Sequence, residues 1–277
     1  MTDRPSGFAV EPGSPGEAYL SDTPLLRTHA GTQPDLFLRW NAIPRDAPSV
    51  DVVVHLHGFS REGGAMLLAE KVSRSGLDLS RRERPTLAVL SRGNWLRYSW
   101  YDFPALLDGG LDRLVDDALD RFAAARSNAA PARLGADRLI LTAHSGGGMP
   151  AIDAIADAQR VPDELHVFDG LYGRDPASGD PMRGLETLER WLDQRLALEP
   201  QRPGALRILY LERQTGPFSH EVGRVIAHRL AGFDAETAAR LGRRYRVEPV
   251  PVPHAQIPQY CGPALLAAAD AELDQSR

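Results

Sequence analysis

Short apolar runs rich in β-branched residues alternate along this chain with longer segments whose apolar residues recur at helical spacing. The short runs predict buried strands over residues 17–20, 36–40, 51–59, 86–90, 138–142, 164–170, 206–212 and 245–250. The longer segments predict helices over residues 65–72, 106–125, 149–158 and 258–273. This alternation favours an α/β fold in which helices cover both faces of a mostly parallel central sheet.

The domain organisation follows from length and from the segments between the predicted elements. The 277 residues exceed one typical domain but suit a single α/β domain, and neither an internal repeat nor a low-complexity linker divides them. We therefore predict one domain over residues 1–277, with residues 1–16 as an irregular N-terminal extension. Residues 175–200 could form a lid or a crossover helix; their length favours the crossover, and hence a small cap or none.

Composition excludes several classes of partner. The net charge is −5 without a basic stripe, so we expect no nucleic-acid partner, and no apolar run approaches the ~20 residues of a membrane span. The N-terminus lacks the apolar core of a secretory signal, which predicts a cytoplasmic protein, with a secreted protein that has lost its signal as the alternative. Cys261, the only cysteine, excludes an internal disulfide and is expected to pack as an apolar residue.

The segment 143–147, with the sequence Ala-His-Ser-Gly-Gly, joins a predicted strand to a predicted helix. A serine between small residues at such a junction is typical of a nucleophile elbow, a turn so tight that its side chain must project. Bulk at Ala143 or Gly147 would clash with a neighbouring strand or helix. Ser145 is therefore the candidate nucleophile, the alternative being a helix-capping serine in a glycine-rich turn.

A second segment supplies a candidate oxyanion hole. The strand that begins at Asp51 ends in His57-Gly58-Phe59, and a glycine after a strand lets a backbone N–H approach the edge of the sheet. The N–H groups of Phe59 and Gly146 would then form a two-donor oxyanion hole. His55 and His57 without a third ligand nearby are weak evidence for a metal, so we read His57 as shaping the loop and predict no metal or organic cofactor.

The candidate base is His254, which follows the last predicted strand. It comes after Ser145 in the chain and at the carboxyl end of a strand, where open α/β sheets place their sites. The other histidines fall before the sheet, inside a strand or near a helix, and His144 is expected to point away from Ser145.

These three segments resemble the α/β-hydrolase superfamily, and the resemblance runs from about residue 35 to the last helix. His57-Gly58-Phe59, the elbow around Ser145 and His254 carry it, in that order; the elbow begins with Ala rather than the commoner Gly. The resemblance implies an α/β-hydrolase fold and a serine nucleophile. Because the superfamily cleaves esters, amides, epoxides and other bonds, it does not imply one substrate.

Two residues compete for the acid of the triad. The resemblance places the acid most often after the later strand, which favours Glu212, and in a minority after the earlier strand, which favours Asp169. Asp169 lies at a sharp strand exit beside Gly170, whereas Glu212 has Arg213 as a ready surface partner. We favour Asp169.

The aromatic segment 94–103 could form a substrate wall beside the nucleophile or could simply pack on the sheet, and the sequence leaves both open. The predicted activity is hydrolysis of a carboxylic ester of a small-molecule or acyl substrate through an acyl-enzyme, with Ser145, His254 and Asp169 as the triad. The alternatives are an amidase or peptidase with the same triad, and a non-catalytic binding module of the same fold.

Overall fold

The computed structural model of the chain describes residues 8–59, 67–95, 101–126, 133–172, 183–199 and 201–274. Its strands are β1 (Gly16–Leu20), β2 (Leu36–Trp40), β3 (Ser49–Leu56), β4 (Thr86–Ser91), β5 (Asn94–Trp95), β6 (Tyr101–Asp102), β7 (Gly135–His144), β8 (Glu164–Phe168), β9 (Ala205–Tyr210) and β10 (Tyr245–Pro249). Eight strands form one sheet in the order β1-β2-β4-β3-β7-β8-β9-β10, and β5 pairs with β6 in a separate hairpin. Strand β2 runs antiparallel to β1 and β4, and the remaining pairs of the large sheet are parallel.

The helices are α1 (Leu68–Arg74), α2 (Gly110–Arg126), α3 (Gly148–Ala156), α4 (Leu185–Leu198), α5 (Gly216–Leu230), α6 (Ala235–Arg244) and α7 (Ile257–Asp274). Strand β3 shows how they divide between the two faces of the sheet. Its Val52 and Val54 belong to the large apolar cluster that α2 to α6 complete, whereas Val53 packs with α1 and α7. All three valines are fully buried, as expected for a strand covered on both sides.

The predicted fold class is therefore confirmed. A mostly parallel sheet of eight strands, with its second strand antiparallel and helices on both faces, is the α/β-hydrolase fold. Strands β3, β7, β8, β9 and β10 are parallel neighbours, so their carboxyl ends meet at one edge of the sheet. The candidate residues after β3, β7, β8 and β10 all lie at this edge.

Several predicted boundaries differ from the observed ones. Strand β7 extends the predicted 138–142 at both ends because it pairs with β3 on one side and with β8 on the other. Strand β9 ends at Tyr210, so Glu212 lies beyond the strand, in a turn. A 3-10 turn, Ser145–Gly147, precedes α3 where the sequence predicted a helix from residue 149.

Two predictions fall partly outside the described residues. The predicted helix 65–72 is observed from Leu68 onward as α1. Of the segment 175–200, the described part forms α4, whose buried Leu188 and Trp191 join the large cluster. Helix α4 connects β8 to β9 and is thus a crossover. Residues 8–15 carry no helix or strand before β1.

Candidate active site

Ser145 lies on a sharp turn between β7 and α3. Its φ of 51° is in the left-handed region, which is strained for a residue other than glycine and persists only where the surroundings enforce it. The surroundings do so here: a Cβ on Gly147 would lie 2.4 Å from the carbonyl oxygen of Leu56, and one on Gly148 would lie 2.2 Å from that of Gly170. The turn therefore holds the Ser145 side chain at the carboxyl edge of the sheet.

His254 lies in a 3-10 turn that follows β10. Its imidazole ring bridges Ser145 and Asp169. Its Nε2 atom is 2.8 Å from Oγ of Ser145, and its Nδ1 atom is 2.5 Å from Oδ2 of Asp169. With Nδ1 donating to the carboxylate, Nε2 is free to accept the proton of the serine hydroxyl. The structure thus brings Ser145, His254 and Asp169 together in one chain of hydrogen bonds.

Asp169 is almost fully buried, and both of its carboxylate oxygens are used. Oδ2 faces His254, while Oδ1 accepts hydrogen bonds from the Leu211 N–H at 2.9 Å and from the hydroxyl of Thr215. Burial raises the pKa of Asp169, but hydrogen bonds from His254, Thr215 and Leu211 outweigh it, so the pKa is lowered. The carboxylate is therefore ionised at neutral pH.

Glu212, the other candidate acid, has different partners. Its carboxylate lies 3.0 Å from Nε2 of His220 and accepts a 3.2 Å hydrogen bond from the hydroxyl of Tyr210. Its side chain is 61% exposed. The structure places Asp169, rather than Glu212, against His254.

The candidate oxyanion hole lies where the loop after β3 meets the elbow. A Cβ on Gly58 would lie 2.7 Å from Cβ of Ser145, so only glycine lets this backbone approach Ser145 so closely. A Cβ on Gly146 would lie 3.6 Å from the backbone nitrogen of Phe59. The structure therefore brings the backbones of Phe59 and Gly146 together beside Ser145.

His57 lies fully inside the protein and supports this loop. The N–H of Gly93 donates to its Nε2 atom at 3.0 Å, so its proton is on Nδ1, which lies 3.0 Å from the carbonyl oxygen of Gly58. Burial lowers the pKa of His57 well below its usual range, which keeps the ring neutral. The ring thus ties the loop after β3 to the loop after β4.

His144, the residue before Ser145, contacts His254. Its Nε2 atom is 3.0 Å from the carbonyl oxygen of His254, and the two rings lie with centroids 4.8 Å apart. Burial, together with the charge of His254, lowers the pKa of His144 to about 4. A neutral His144 can therefore donate to the His254 carbonyl and hold the loop that carries His254.

Two contacts at the site were missed by sequence reasoning. The hydroxyl of Tyr172 is 3.1 Å from Oγ of Ser145, and Thr215 donates to Asp169. Burial raises the pKa of Tyr172, so its hydroxyl stays protonated and can donate a hydrogen bond. The position of Tyr172, three residues after the sharp exit at Asp169, was a usable signal; Thr215, far along the chain, offered none.

The aromatic segment 94–103 is described only at its two ends. β5 and β6 pair as a hairpin, and β6 contacts the elbow turn. Phe103 is buried, with its ring 5.3 Å from the ring of His57, so this aromatic packs on the loop after β3. Residues 96–100 lie outside the described residues, and the substrate wall stays a prediction.

The described residues contain neither a membrane-spanning helix nor a cluster of metal ligands. None of the helices there is both long and apolar enough to cross a membrane. The same residues contain no group of three or more His, Cys, Asp or Glu arranged to hold a metal ion.

No family model matches the chain, and a search of curated proteins found no match. Several solved structures resemble it. The siderophore hydrolase EstA from Aspergillus nidulans is 14% identical, with a TM-score of 0.48 over 98% of this chain and 99% of that one. An α/β serine hydrolase without a lid from Xanthomonas campestris is 16% identical, with a TM-score of 0.41 over 97% of this chain and 96% of that one.

A ferulic acid esterase is 13% identical to the chain, with a TM-score of 0.49 over 94% of this chain and 98% of that one. At these identities and TM-scores the likeness carries no activity or substrate over to this protein. The assignment to the α/β-hydrolase fold rests on the strand order and helix layers described above.

Proposed function

We propose that this protein is a serine hydrolase that cleaves a carboxylic ester through an acyl-enzyme intermediate. The observation that carries the proposal is the position of His254, 2.8 Å from Oγ of Ser145 and 2.5 Å from the carboxylate of Asp169. In this proposal Ser145 is the nucleophile, His254 the general base, and Asp169 the group that holds the imidazole in the required tautomer.

Acylation begins when Oγ of Ser145 attacks the carbonyl carbon of the ester. His254 takes the serine proton on Nε2, and the electron pair of the C=O double bond moves onto oxygen. The N–H groups of Phe59 and Gly146 would stabilise this oxyanion. When the intermediate collapses, the ester C–O bond breaks and His254 returns its proton to the departing alkoxide.

Deacylation repeats these steps with water. His254 removes a proton from the water, whose oxygen attacks the acyl carbon, and the second intermediate collapses with loss of Ser145 Oγ. His254 then protonates the serine, and the carboxylic acid leaves. The ionised Asp169 stabilises the imidazolium that forms in both halves, which fits its burial and lowered pKa.

An ester is the least demanding substrate for these groups, because an alkoxide leaves more easily than an amine. The test is turnover of p-nitrophenyl esters of increasing acyl length beside a panel of aminoacyl amides, with wild-type protein and Ser145→Ala. We expect ester turnover by the wild type, and a loss on the order of 10⁶-fold on removal of the nucleophile. More than a tenth of the wild-type activity remaining in Ser145→Ala would reject Ser145 as the nucleophile.

The same panel distinguishes the alternative functions. Faster turnover of amides than of esters would identify an amidase, and turnover of neither would favour a binding module.

A further inference from the structure

The carbonyl group of Gly58 accepts hydrogen bonds from two buried side chains. Nζ of Lys71, on α1, donates to it at 2.6 Å, and Nδ1 of His57 lies 3.0 Å away. Lys71 is only 6% exposed, which is unusual for a lysine. The short distance is typical of a charge-assisted hydrogen bond.

The carbonyl of Gly58 and the N–H of Phe59 are the two polar groups of one peptide unit. In a trans peptide the C=O and the N–H point in opposite directions, so groups that fix the oxygen also fix the direction of the N–H. A cation on the oxygen draws electron density from the amide nitrogen and makes the N–H a stronger donor. The same peptide lies against the nucleophile, because a Cβ on Gly58 would come within 2.7 Å of Cβ of Ser145.

The cation that bonds the Gly58 carbonyl is a lysine in a chain whose other basic side chains of this kind are all arginines. Lysine and arginine together number 32, and Lys71 is the only lysine. An ammonium is a compact point charge on a flexible stem, whereas the guanidinium is a wide planar fork. A single buried carbonyl therefore suits lysine better than arginine.

We propose that Lys71 is a positioning residue of the oxyanion hole, whose ammonium holds and polarises the Gly58–Phe59 peptide so that the Phe59 N–H binds the oxyanion more strongly. This proposal rests on the proposed function. In this proposal Lys71 does not touch the substrate and acts only through the Phe59 N–H.

Burial and the charge of Arg74 lower the pKa of Lys71 to about 8, and the charge of Glu70 opposes this shift only in part. On the sheet side, the charge of Lys71 in turn lowers the pKa values of His55, His57 and His144. From α7, Gln259 donates to the carbonyl of Ser73 and Leu266 packs in the same apolar cluster as Val72, and both side chains are uncharged. Lys71 is thus a cation below about pH 8, and the charge is lost as the pH rises through that value.

The test compares an ester with the matching thionoester, in which sulfur replaces the carbonyl oxygen. Sulfur is a weak hydrogen-bond acceptor, so the thionoester gains little from the oxyanion hole. In Lys71→Met we expect kcat/KM for the ester to fall about ten- to hundredfold, mostly in kcat, because one of two donors is weakened rather than removed. For the thionoester we expect a fall of less than about threefold.

Val72→Ala is the matched control. Val72 is buried in the same helix but packs in the apolar cluster of α1 and α7, so its truncation should lower stability and leave the ester-to-thionoester ratio unchanged. If Lys71→Met does not fold, the wild type supplies the test, since its ratio should fall as the pH rises through about 8.

Equal losses on both substrates, no loss in Lys71→Met, or a wild-type ratio that stays flat from neutral to alkaline pH would overturn the role of Lys71. Reaction of Ser145 with a fluorophosphonate distinguishes this failure from that of the proposed function. A wild type that neither reacts nor hydrolyses the ester would overturn both proposals together.

Discussion

Among the single residues, Asp169 is the one whose chemical type the proposed mechanism restricts most, because only a carboxylate can accept from all of its partners. One oxygen faces the imidazole of His254, and the other accepts from Leu211 and Thr215. All three partners donate to the carboxylate, so replacing either oxygen with an NH₂ group sets a donor against a donor. An amide at this position also favours the wrong imidazole tautomer.

We therefore expect Asp169→Asn to lower kcat by several orders of magnitude; the corresponding change in a triad protease costs roughly 10⁴-fold. Glu212→Gln is the matched control, because it makes the same chemical change in a carboxylate whose partners are His220 and Tyr210, and it should stay within about tenfold. Steady-state kinetics on both variants checks this. A crippled Glu212→Gln beside a nearly normal Asp169→Asn would reverse the assignment of the acid.

Phe59 should act through its backbone rather than through its ring. The residue is 36% exposed, so Phe59→Leu should change ester turnover little. Phe59→Pro removes the N–H and should cost at least ~10²-fold in kcat. Circular dichroism would establish that both variants are folded. Equal losses in two well-folded variants would show that the side chain, and not the amide, matters at this position.

A site residue could be predicted from the sequence only where its neighbours in the chain mark its position in the fold. Ser145 and His254 follow strands in a recognisable order, and the structure brings them together; their catalytic roles stay proposals. Thr215 reaches the site through its contact with Asp169, 46 residues earlier in the chain, and Lys71 through its contact with the loop after β3. Periodicity describes which face of an element is buried, and it says nothing about which polar groups from different loops will meet.

At the element scale, the elbow between β7 and α3 depends on the absence of side chains. A Cβ on Gly148 would lie 2.2 Å from the carbonyl oxygen of Gly170, and the clashing atom belongs to the backbone. We expect Gly148→Ala to lower the free energy of unfolding by about 1–3 kcal/mol and to reduce activity, since the turn that holds Ser145 must shift.

Gly242→Ala is the control for this prediction, because it makes the same substitution in open space within α6, where a Cβ meets no atom within 4 Å. Alanine is the better helix former, so this variant should gain roughly 0.5–1 kcal/mol. Urea unfolding of both variants measures the two effects. A Gly148→Ala protein as stable and active as the wild type would show that the elbow tolerates bulk.

The elements themselves were largely predictable because burial on both faces leaves continuous apolar runs. Strand β2 was predicted at its observed bounds, Leu36–Trp40, since its apolar run is bordered by polar residues. Strand β7 was predicted too short because its ends, Gly135 and His144, lack apolar character and are held by pairing with neighbouring strands. Pairing between distant strands is invisible in a local pattern.

At the scale of the whole molecule, the two ends of the sheet differ in character. The carboxyl end carries the candidate site, whereas the amino end holds buried ion pairs. Arg82 bonds Asp51 at 2.6 Å, and Arg138 bonds Glu164 at 2.9 Å. Burial raises the pKa of Glu164, but hydrogen bonding from His166 and the charge of Arg138 outweigh it, so the pKa is lowered.

Arg138→Met should therefore destabilise the protein by about 3–5 kcal/mol at pH 7, because it leaves a buried carboxylate without its arginine. The carboxylate of Glu164 contributes stability above its unfolded-state pKa, and this contribution fades as the pH falls toward the lowered pKa of the folded state. The decrease in the free energy of unfolding caused by Arg138→Met should thus be smaller at pH 4 than at pH 7.

Arg121→Met is the control, because it breaks a surface pair with Asp117, and it should lower the free energy of unfolding by less than about 1 kcal/mol. Equal effects of the two variants would contradict the structural role of the buried pair.

Reaction with a fluorophosphonate, followed by mass spectrometry of the digested protein, measures whether Ser145 is an activated nucleophile. We expect one phosphonyl group per chain, located on Ser145. We expect the labelling rate to fall by several orders of magnitude in Asp169→Asn and to stay within about tenfold of the wild-type rate in Glu212→Gln. A protein that stays unlabelled, or that is labelled at a residue other than Ser145, would contradict this role of Ser145.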